Sequence, residues 1–553
     1  MVGGWFGKAA PIVLALAALL SYSQFYSIQY AEFDTIAKIV TFKGGLEELP
    51  RILTTPEQQY MLTTTNYRPV ASLILWAMHL LFGLNLTPYH LLLYLLHAAN
   101  TVLAYALAVK LIKDRRYAFL ASLVYAVHPI HLQTVIFISR LPDMLVALSS
   151  LLTILSLMKY VKSSDERYYK LSILACGLGI FSKASGGLIV ILAFLYLTLY
   201  DGGWRKALKK VIPHTALFML YLPMMYLALG RMAGYYGLPD SEWHFGLLNY
   251  IFGLAYPTNF TDYSLFQIVY KAALPPAPNT ILLLASAAAL ALSIKAALKD
   301  RTAAFALAWL LTFLAAFMSP YVIVSPWYLY TPAIPFTILT AYVLKRSLES
   351  KNHAKKLPAA FIAVICAGLI FYSPLLSDYP EPRQMSQLIE SLNDHTLEAA
   401  VNMPVQSSLY LFNYPDYMVY TGKGYPYSLF IVSEASLQAL LDYHMPEKDH
   451  RVHSVTAVRM RSQMGQPAFT LKSEQNCYFL ATNQNRRAAE LRISERWNLN
   501  RQGMERISVK QQKTPESEHV MVTFPEKTYK NTYLLVYTGD NIEIADLSIY
   551  CTV

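Results

Sequence analysis

The sequence predicts a polytopic α-helical membrane protein with a soluble domain at its C-terminal end. Of its 553 residues, 55% are hydrophobic and only 15% are charged, a balance too apolar for an ordinary soluble protein. Apolar runs of membrane-spanning length recur up to Leu376, and the stretch that follows is polar and has none. We therefore predict a transmembrane domain over residues 1–376 and a soluble extracytoplasmic domain over residues 377–553.

The apolar runs set the expected number of spans. An apolar helix needs about 20 residues to cross the hydrocarbon, and on this measure the sequence predicts about eleven spans. The segment Val70–Leu84 is also apolar, but Pro69 and His79 favour a helix in the membrane interface, within a first outside loop of residues 30–88. The predicted spans are Ala9–Ile28, Tyr89–Leu111, Tyr117–Phe137, Met144–Tyr160, Leu171–Ser182, Gly187–Tyr200, His214–Leu229, Asn279–Ala297, Ala303–Met318, Tyr328–Leu344 and Ala359–Leu375.

Lysine and arginine residues predict the orientation. They form short clusters between the apolar runs, and every cluster falls on one side if the spans alternate. The positive-inside rule makes that side cytoplasmic, so we expect the N-terminus inside, an uncleaved first span, and the C-terminal domain outside a plasma or inner membrane. The clustering also explains the net charge of +11 without a nucleic-acid partner. The clusters are Lys110–Arg116, Lys159–Lys170, Arg205–Lys210, Lys295–Arg301 and Lys345–Lys356.

The C-terminal domain combines helical and strand-like periodicity. Its first part alternates helical patterns with short apolar runs, and its later part alternates in strand fashion, which predicts an α+β opening leading into a β-sandwich-like end. Cys477 and Cys551 both lie on predicted strands, where an oxidising exterior permits a disulfide. Two unpaired buried thiols are the alternative. The helical patterns are Met385–Leu392 and Leu437–Tyr443, the apolar runs include Ser408–Phe412 and Tyr427–Val432, and the strand-like patterns include Val520–Phe524 and Tyr533–Tyr537.

A short polar segment between two apolar spans carries the first candidate chemistry. It contains His128, His131, Arg140 and Asp143, and ionisable groups at such a depth usually mark a site or a substrate path. Pro129 breaks the helix between the two histidines and frees backbone groups, which favours a cavity. Backbone-satisfied interface histidines are the alternative. No third ligand stands at a recognisable spacing, so we expect no metal ion.

Cations at three span ends suggest an anionic ligand. Lys183 ends an apolar span on the predicted outer face, Arg231 ends another, and Arg140 begins one. All three depart from the positive-inside trend, and a lipid phosphate held by point charges would explain the departure. Snorkelling of Lys183 to the interface is the alternative.

Two carboxylates follow the first predicted span. Glu32 or Asp34 could take a proton from an attacking hydroxyl if partial burial raises its pKa toward neutrality. The alternative is that both are solvated residues at a helix start, where acids complement the dipole.

Short motifs follow one another in order through roughly the first two thirds of the chain. They are Phe33–Asp34, Asn66–Pro69, Leu81–Asn85, Tyr89–His90, His97–Asn100, His128–His131, Ser139–Arg140, Asp143, Phe181–Lys183 and Trp327–Pro332. This order resembles the GT-C glycosyltransferases, in particular the protein O-mannosyltransferase-like branch that includes the transmembrane and tetratricopeptide-repeat mannosyltransferases. The chain shows no such repeats.

The resemblance implies a polytopic GT-C fold and an inverting enzyme. Such an enzyme moves a sugar from a polyprenyl phosphate on the outer leaflet to a protein or glycan acceptor, with the lipid-linked sugar as co-substrate and no further cofactor. Asp34 would match the base, with Glu32 in reserve, and Lys183, helped by Arg140 or Arg231, would steady the phosphate. The other donor-binding candidates by position are His128, His131, Tyr67 and Arg68.

The sequence also departs from the family's pattern at four positions. Thr35, Gln133 and Ala184 stand where the family usually has an acid, and Trp327 where it usually has arginine. A second hypothesis is therefore a catalytically silent subunit that keeps the scaffold and binds a partner through its outside domain. A transporter is a third, but the charges crowd at span ends rather than midway through spans.

Overall fold

A computed structural model describes most of the chain. The described residues are 9–29, 34–57, 59–60, 66–230, 253–255, 291, 294–296, 299–316, 326–350, 356–419, 428–430, 433–461, 469–474, 478–484, 489–493, 508–513, 518–524, 530–538 and 542–547. The predicted span Asn279–Ala297 lies almost wholly outside these ranges, as do Glu32, Arg231, Cys477 and Cys551.

Helices dominate the first 371 residues. They are α1 (Ala10–Ser21), α2 (Thr35–Val40), α3 (Glu48–Thr54), α4 (Pro69–Phe82), α5 (Thr87–Ile112), α6 (Arg115–Val127), α7 (Leu132–Ile136), α8 (Leu141–Ser163), α9 (Glu166–Ser182), α10 (Leu188–Tyr200), α11 (Trp204–Lys210), α12 (Ile212–Leu229), α13 (Arg301–Ala316), α14 (Ala333–Leu348) and α15 (Leu357–Phe371). Each predicted span up to Leu229, and each from Ala303 onward, overlaps at least one of these helices, and Tyr117–Phe137 is divided between α6 and α7.

Some of these helices are long and apolar enough to cross a membrane. Within the described ranges, three helical stretches are long and apolar enough to span a bilayer: Thr87–Ile112, Ile138–Ser163 and Ile212–Leu229. A fourth is the pair Arg115–Val127 and Pro129–Ile136, which is bent by 40°. Pro129 explains the bend because it lacks a backbone N–H. The full number of crossings stays a prediction.

The basic clusters meet at one end of the helical bundle. Hydrogen bonds and ion pairs join loops that are far apart in sequence, so we call this region the basic end. These contacts are Lys345 Nζ to the Ile112 carbonyl (3.0 Å), Arg301 Nη1 to the Leu199 carbonyl (3.3 Å), Arg346 Nη2 to Asp300 Oδ2 (3.4 Å) and Tyr169 Oη to the Lys210 carbonyl (2.5 Å). The opposite end, which carries Asp34, is called the Asp34 end.

The C-terminal part is built from two helices and three four-stranded sheets. The helices are α16 (Glu381–Val401) and α17 (Glu434–His444). The strands are β1 (Ser408–Phe412), β2 (Tyr414–Val419), β3 (Ser428–Phe430), β4 (Arg451–Ser454), β5 (Thr456–Arg461), β6 (Phe469–Glu474), β7 (Tyr478–Asn483), β8 (Ala489–Ile493), β9 (Ser508–Lys513), β10 (Glu518–Thr523), β11 (Thr532–Tyr537) and β12 (Ile542–Asp546).

The three sheets differ in strand direction. The orders are β12-β11-β1-β4, β3-β2-β5-β8 and β6-β7-β10-β9, and the last is antiparallel throughout. In the first, β1 runs parallel to both β4 and β11, and the connection from β1 to β4 passes through β2, β3 and α17. The helices and strands therefore stand where the sequence predicts them, but parallel pairs make two of the sheets mixed.

The C-terminal domain packs on the Asp34 end. Helix α17 contacts α2, which begins directly after Asp34. At this seam Lys43 Nζ donates to the Asp442 carbonyl (3.2 Å), and the rings of His79 and Tyr443 meet edge to face at 5.7 Å. The C-terminal domain thus lies against α2, the helix that begins directly after the predicted base.

Candidate active site

A chain of buried ion pairs runs through the connection between α1 and α5. Lys38 Nζ lies 2.8 Å from Asp34 Oδ2 and 3.6 Å from Glu57 Oε1. Arg68 Nη1 lies 2.9 Å from Glu57 Oε2. All four side chains are buried. An isolated buried charge is costly, so each of these groups depends on the opposite charge beside it.

Local sequence places each member of this chain. Asp34 is the residue before α2, where its charge complements the helix dipole, and Lys38 follows one turn later. Arg68 precedes Pro69, the first residue of α4. The Glu57 N–H donates to the Asn66 carbonyl (2.9 Å), which brings Glu57 beside Arg68.

A second buried ion pair joins two long helices. Lys183 Nζ donates to Asp143 Oδ1 at 2.5 Å. Asp143 lies in the first turn of α8, and Lys183 is the residue after α9. The other carboxylate oxygen, Asp143 Oδ2, is buried and accepts no hydrogen bond within the described ranges. One carboxylate oxygen of this pair therefore has no hydrogen-bond donor among the described residues.

The ion pairs that run from Asp34 to Arg68 interact with the Lys183–Asp143 pair. Arg68 is attracted by both Asp34 and Asp143, and Lys183 is repelled by both Arg68 and Arg140. Helix α2 contacts the turn Ile138–Arg140, and α4 contacts α9. We call the combined set the charge cluster: Asp34, Lys38, Glu57, Arg68, Arg140, Asp143 and Lys183.

The two carboxylate oxygens of Asp34 differ in their contacts. Oδ2 pairs with Lys38, whereas Oδ1 is buried and has no hydrogen-bond partner among the described residues. Burial pushes the pKa of Asp34 up, but the charges of Lys38, Arg140 and Arg68 and the Lys38 hydrogen bond outweigh it, so this pKa lies below the ordinary 3.8. The expectation that burial raises this pKa toward neutrality is therefore wrong. The carboxyl is ionised at neutral pH and can accept a hydrogen bond or a proton.

The segment before α14 supplies aromatic rings to the cluster's cations. Trp327 and Tyr328 lie in a 3₁₀ turn, Pro326–Leu329. The Arg140 Cζ atom lies 4.2 Å from the centroid of the Trp327 ring, and Lys183 Nζ lies 5.1 Å from that of Tyr328. Both distances are within the usual range of about 6 Å for cation–π contact.

The predicted histidines lie in a separate, fully buried aromatic cluster. His128 Nε2 donates to the Leu254 carbonyl (2.8 Å), and its Nδ1 accepts from the Ile130 N–H (3.2 Å). The His131 ring lies 4.7 Å from those of both Tyr125 and Tyr330. His128 therefore makes backbone hydrogen bonds at both nitrogens, as the structural alternative anticipates. A role of either histidine in sugar binding stays a prediction.

Tyr330 links the histidine cluster to the charge cluster. Its hydroxyl lies 2.9 Å from His97 Nδ1 and accepts from Asn100 Nδ2 (3.2 Å). His97 Nε2 donates to the Ala126 carbonyl (2.9 Å), so Nδ1 accepts from the tyrosine. Trp327, three residues earlier, contacts Arg140. One short segment thus touches both clusters.

The structure brings together four of the predicted site residues: Asp34, Arg68, Arg140 and Lys183. Tyr67 adjoins them in sequence but is buried, and its hydroxyl donates to the Leu53 carbonyl (2.7 Å). Glu32 and Arg231 fall outside the described residues, so their roles stay predictions.

Sequence reasoning missed Lys38 and Glu57, and it named Asp143 as a member of the polar segment without giving it a role in the site. Lys38 had a detectable signal, its position four residues after Asp34 on a helix. Asp143 had one too, a carboxylate at the start of an apolar span. Glu57 had none, because its contact with Arg68 depends on how the intervening loop closes.

The described residues contain no group of three or more histidine, cysteine or carboxylate side chains placed to hold a metal ion. The expectation that the protein works without one stays a prediction. Cys176 and Cys366 are buried and unbridged. The predicted Cys477–Cys551 pairing lies outside the described residues.

The membrane helices around the site match a known family. The model of dolichyl-phosphate-mannose-protein mannosyltransferases matches residues 66–228, which include Arg68, Arg140, Asp143 and Lys183. This segment is protein O-mannosyltransferase-like, of the GT-C class, as the sequence motifs predict.

Curated relatives agree with the family match over a shorter stretch. Protein O-mannosyl-transferase TMTC2 of Mus musculus and that of Homo sapiens are each 38% identical to this chain over 104 residues, which is 19% of the chain. The match spans only 12% of the length of either relative. The chain thus shares a limited, mannosyltransferase-like segment with these relatives.

Solved structures show a more distant similarity. The Archaeoglobus fulgidus oligosaccharyltransferase AglB, in complex with an inhibitory peptide and a dolichol-phosphate, is 10% identical with a TM-score of 0.46, covering 89% of this chain and 75% of its own. The Archaeoglobus fulgidus oligosaccharyltransferase with zinc and sulfate is 13% identical with a TM-score of 0.46, covering 81% and 68%.

Proposed function

We propose that this protein transfers a sugar from a polyprenyl-phosphate donor to a hydroxyl of a protein or glycan acceptor on the extracytoplasmic face of a cell membrane. The observation that carries the proposal is the charge cluster, in which cations and carboxylates from separate elements meet in a buried position. Structural ion pairs alone rarely justify so many buried charges, because each is costly to desolvate.

The cations suit a phosphate leaving group. As the bond between the sugar C1 and the phosphate oxygen breaks, its electron pair passes to the phosphate, which gains negative charge. Arg140, Lys183 and Arg68 are positioned beforehand, so they stabilise this charge more in the transition state than in the ground state. Four cations against three carboxylates leave one net positive charge, which complements a phosphate diester.

Asp34 suits the role of base. Its ionised Oδ1 can accept the proton of the acceptor hydroxyl while that oxygen attacks the sugar C1 from the face opposite the phosphate. The new bond inverts the configuration at C1, and one carboxylate is enough for such a displacement. The lysine and arginine charges perform the electrostatic role, so the proposal includes no metal ion.

A donor assay tests this proposal. The purified full-length chain in nanodiscs is given radiolabelled mannose and other sugars, each supplied either on polyprenyl phosphate or as the nucleotide sugar, with a peptide and a glycan acceptor. We expect transfer from the polyprenyl-phosphate form only. Transfer from nucleotide sugars alone would contradict the proposal.

The same assay addresses the silent-subunit hypothesis, which the docking of α17 over α2 favours. That hypothesis expects no transfer from any donor, together with loss of partner binding when the C-terminal domain is removed.

A further inference from the structure

Trp327 and Tyr328, which we call the aromatic shelf, lie against two cations of the charge cluster. The Arg140 guanidinium carbon is 4.2 Å from the Trp327 ring centroid, and the Lys183 ammonium is 5.1 Å from that of Tyr328. Adjacent residues of one turn thus contact cations from two different helix ends, those of α8 and α9.

The two cations differ in how their charge is compensated. Lys183 is paired with Asp143 at 2.5 Å. Arg140 has no ion pair with any described carboxylate, and its buried Nε has no hydrogen-bond partner among the described residues. Among these residues its charge is compensated by the Asp34 carboxylate, without a direct ion pair, and by the face of Trp327. A ring face stabilises a guanidinium without occupying its N–H donors, which remain free for an anion.

Buried contacts hold the aromatic shelf in place. Tyr330, two residues after Tyr328, is fully buried and hydrogen-bonded to His97 and Asn100. The Phe137 ring lies 6.4 Å from that of Trp327. Moving the shelf away from the cations would break these buried contacts, so its position is fixed by the bundle.

We propose that the aromatic shelf is a positioning element that keeps the Arg140 donors, and to a smaller degree the Lys183 ammonium, directed at the phosphate of a polyprenyl-phosphate ligand. This inference rests on the proposed function and assigns Trp327 and Tyr328 a part in its specificity. The shelf acts through the two cations and makes no contact with the reacting atoms.

The test compares two ligands that differ only in the phosphate. Binding of dolichyl phosphate and of unphosphorylated dolichol is measured for the full chain in nanodiscs. We expect Trp327→Leu to weaken dolichyl phosphate binding about 3- to 30-fold and to leave dolichol binding unchanged, because a desolvated cation–π contact is lost. Trp327→Phe keeps a ring and should stay within about threefold of the wild type.

Trp204→Leu is the matched control. Trp204 also contacts an arginine, with Arg205 Cζ at 5.3 Å, but on an exposed helix at the basic end. This variant should bind both ligands as the wild type does.

Each other outcome has a definite meaning. An equal loss of binding for both ligands in Trp327→Leu would indicate a merely structural role and would overturn the inference. Unchanged binding of both ligands would overturn it as well. If Trp327→Leu does not fold, Tyr328→Leu is measured in the same way, and a loss that is not phosphate-specific overturns the inference. A wild type that does not distinguish the ligands overturns the proposed function itself.

Discussion

The Lys206 and Lys210 side chains at the basic end share Asp201, and that of Lys206 is 54% exposed. At the Asp34 end the paired side chains of Lys183 and Asp143 are only 10% and 8% exposed. The Asp201 side chain itself is 12% exposed and that of Lys210 is 23% exposed. Pairs of this kind, at the edge of the bundle with one lysine in solvent, contribute about 0–1 kcal/mol and serve solubility and orientation. Buried pairs of the second kind are costly to form, so their presence points to a ligand or a reaction that requires the charges.

The largest expected difference concerns activity. Asp34→Asn removes the proton acceptor but keeps the size of the side chain, and we expect the transfer rate to fall about 100- to 10,000-fold. Asp201→Asn at the basic end is the control and should transfer at the wild-type rate. A rate within threefold of the wild type for Asp34→Asn would show that another group is the base.

The second difference concerns stability. Asp143→Ala leaves the Lys183 charge buried and unpaired, so we expect it to lower the free energy of unfolding by about 3–5 kcal/mol. Asp201→Ala should lower it by about 1 kcal/mol or less. Chemical unfolding in detergent measures both, and the double variant Asp143→Ala/Lys183→Met should recover part of the loss. Equal losses of unfolding free energy in Asp143→Ala and Asp201→Ala would contradict the difference proposed between the two ends.

The pH dependence gives a third test. Because its pKa lies below 3.8 in the folded chain, Asp34 is ionised above that value, and its contribution to stability is lost only as pH falls through the lowered pKa. We therefore expect transfer to show no acidic limb due to Asp34 between about pH 5 and 8. Profiles of wild type and Asp34→Glu measure this. A limb near pH 6 that moves with this substitution would indicate a raised pKa.

The smallest expected effect lies at the seam between the domains. Tyr443→Ala removes an aromatic contact with His79 worth about 0.5–1.5 kcal/mol, so transfer should fall no more than about tenfold. Hydrogen exchange of Thr35–Val40 should rise at the same time, because α17 rests on α2. Ile544→Ala, on the exposed edge strand β12, is the control. Unchanged exchange in Tyr443→Ala would mean that the seam does not steady α2.

Hydropathy predicted the helices well, because a membrane span must be apolar over a fixed length. The exception is the late span, predicted from Tyr328, whose helix begins at Ala333. The residues before it form a 3₁₀ turn whose aromatic rings face the cations. Composition cannot distinguish such rings from lipid-facing ones.

The site was predictable where chemistry shows in the local pattern. Asp34 and Lys183 stand out because a charge at the end of an apolar helix is unusual. The contact between Arg140 and Trp327 joins residues almost two hundred positions apart, and no periodicity signals it. The parallel pairing of β1 with β11 depends equally on long-range closure, which alternation along one strand does not specify.

An experimental structure of the full chain with dolichyl phosphate in nanodiscs tests the central claim most directly. We predict that the phosphate lies at the Asp34 end, within hydrogen-bond distance of Arg140 and Lys183. The Asp34 carboxylate should face it across a space large enough for a sugar. A phosphate bound at the basic end beside Lys206 and Lys210, with the charge cluster still closed on itself, would contradict it.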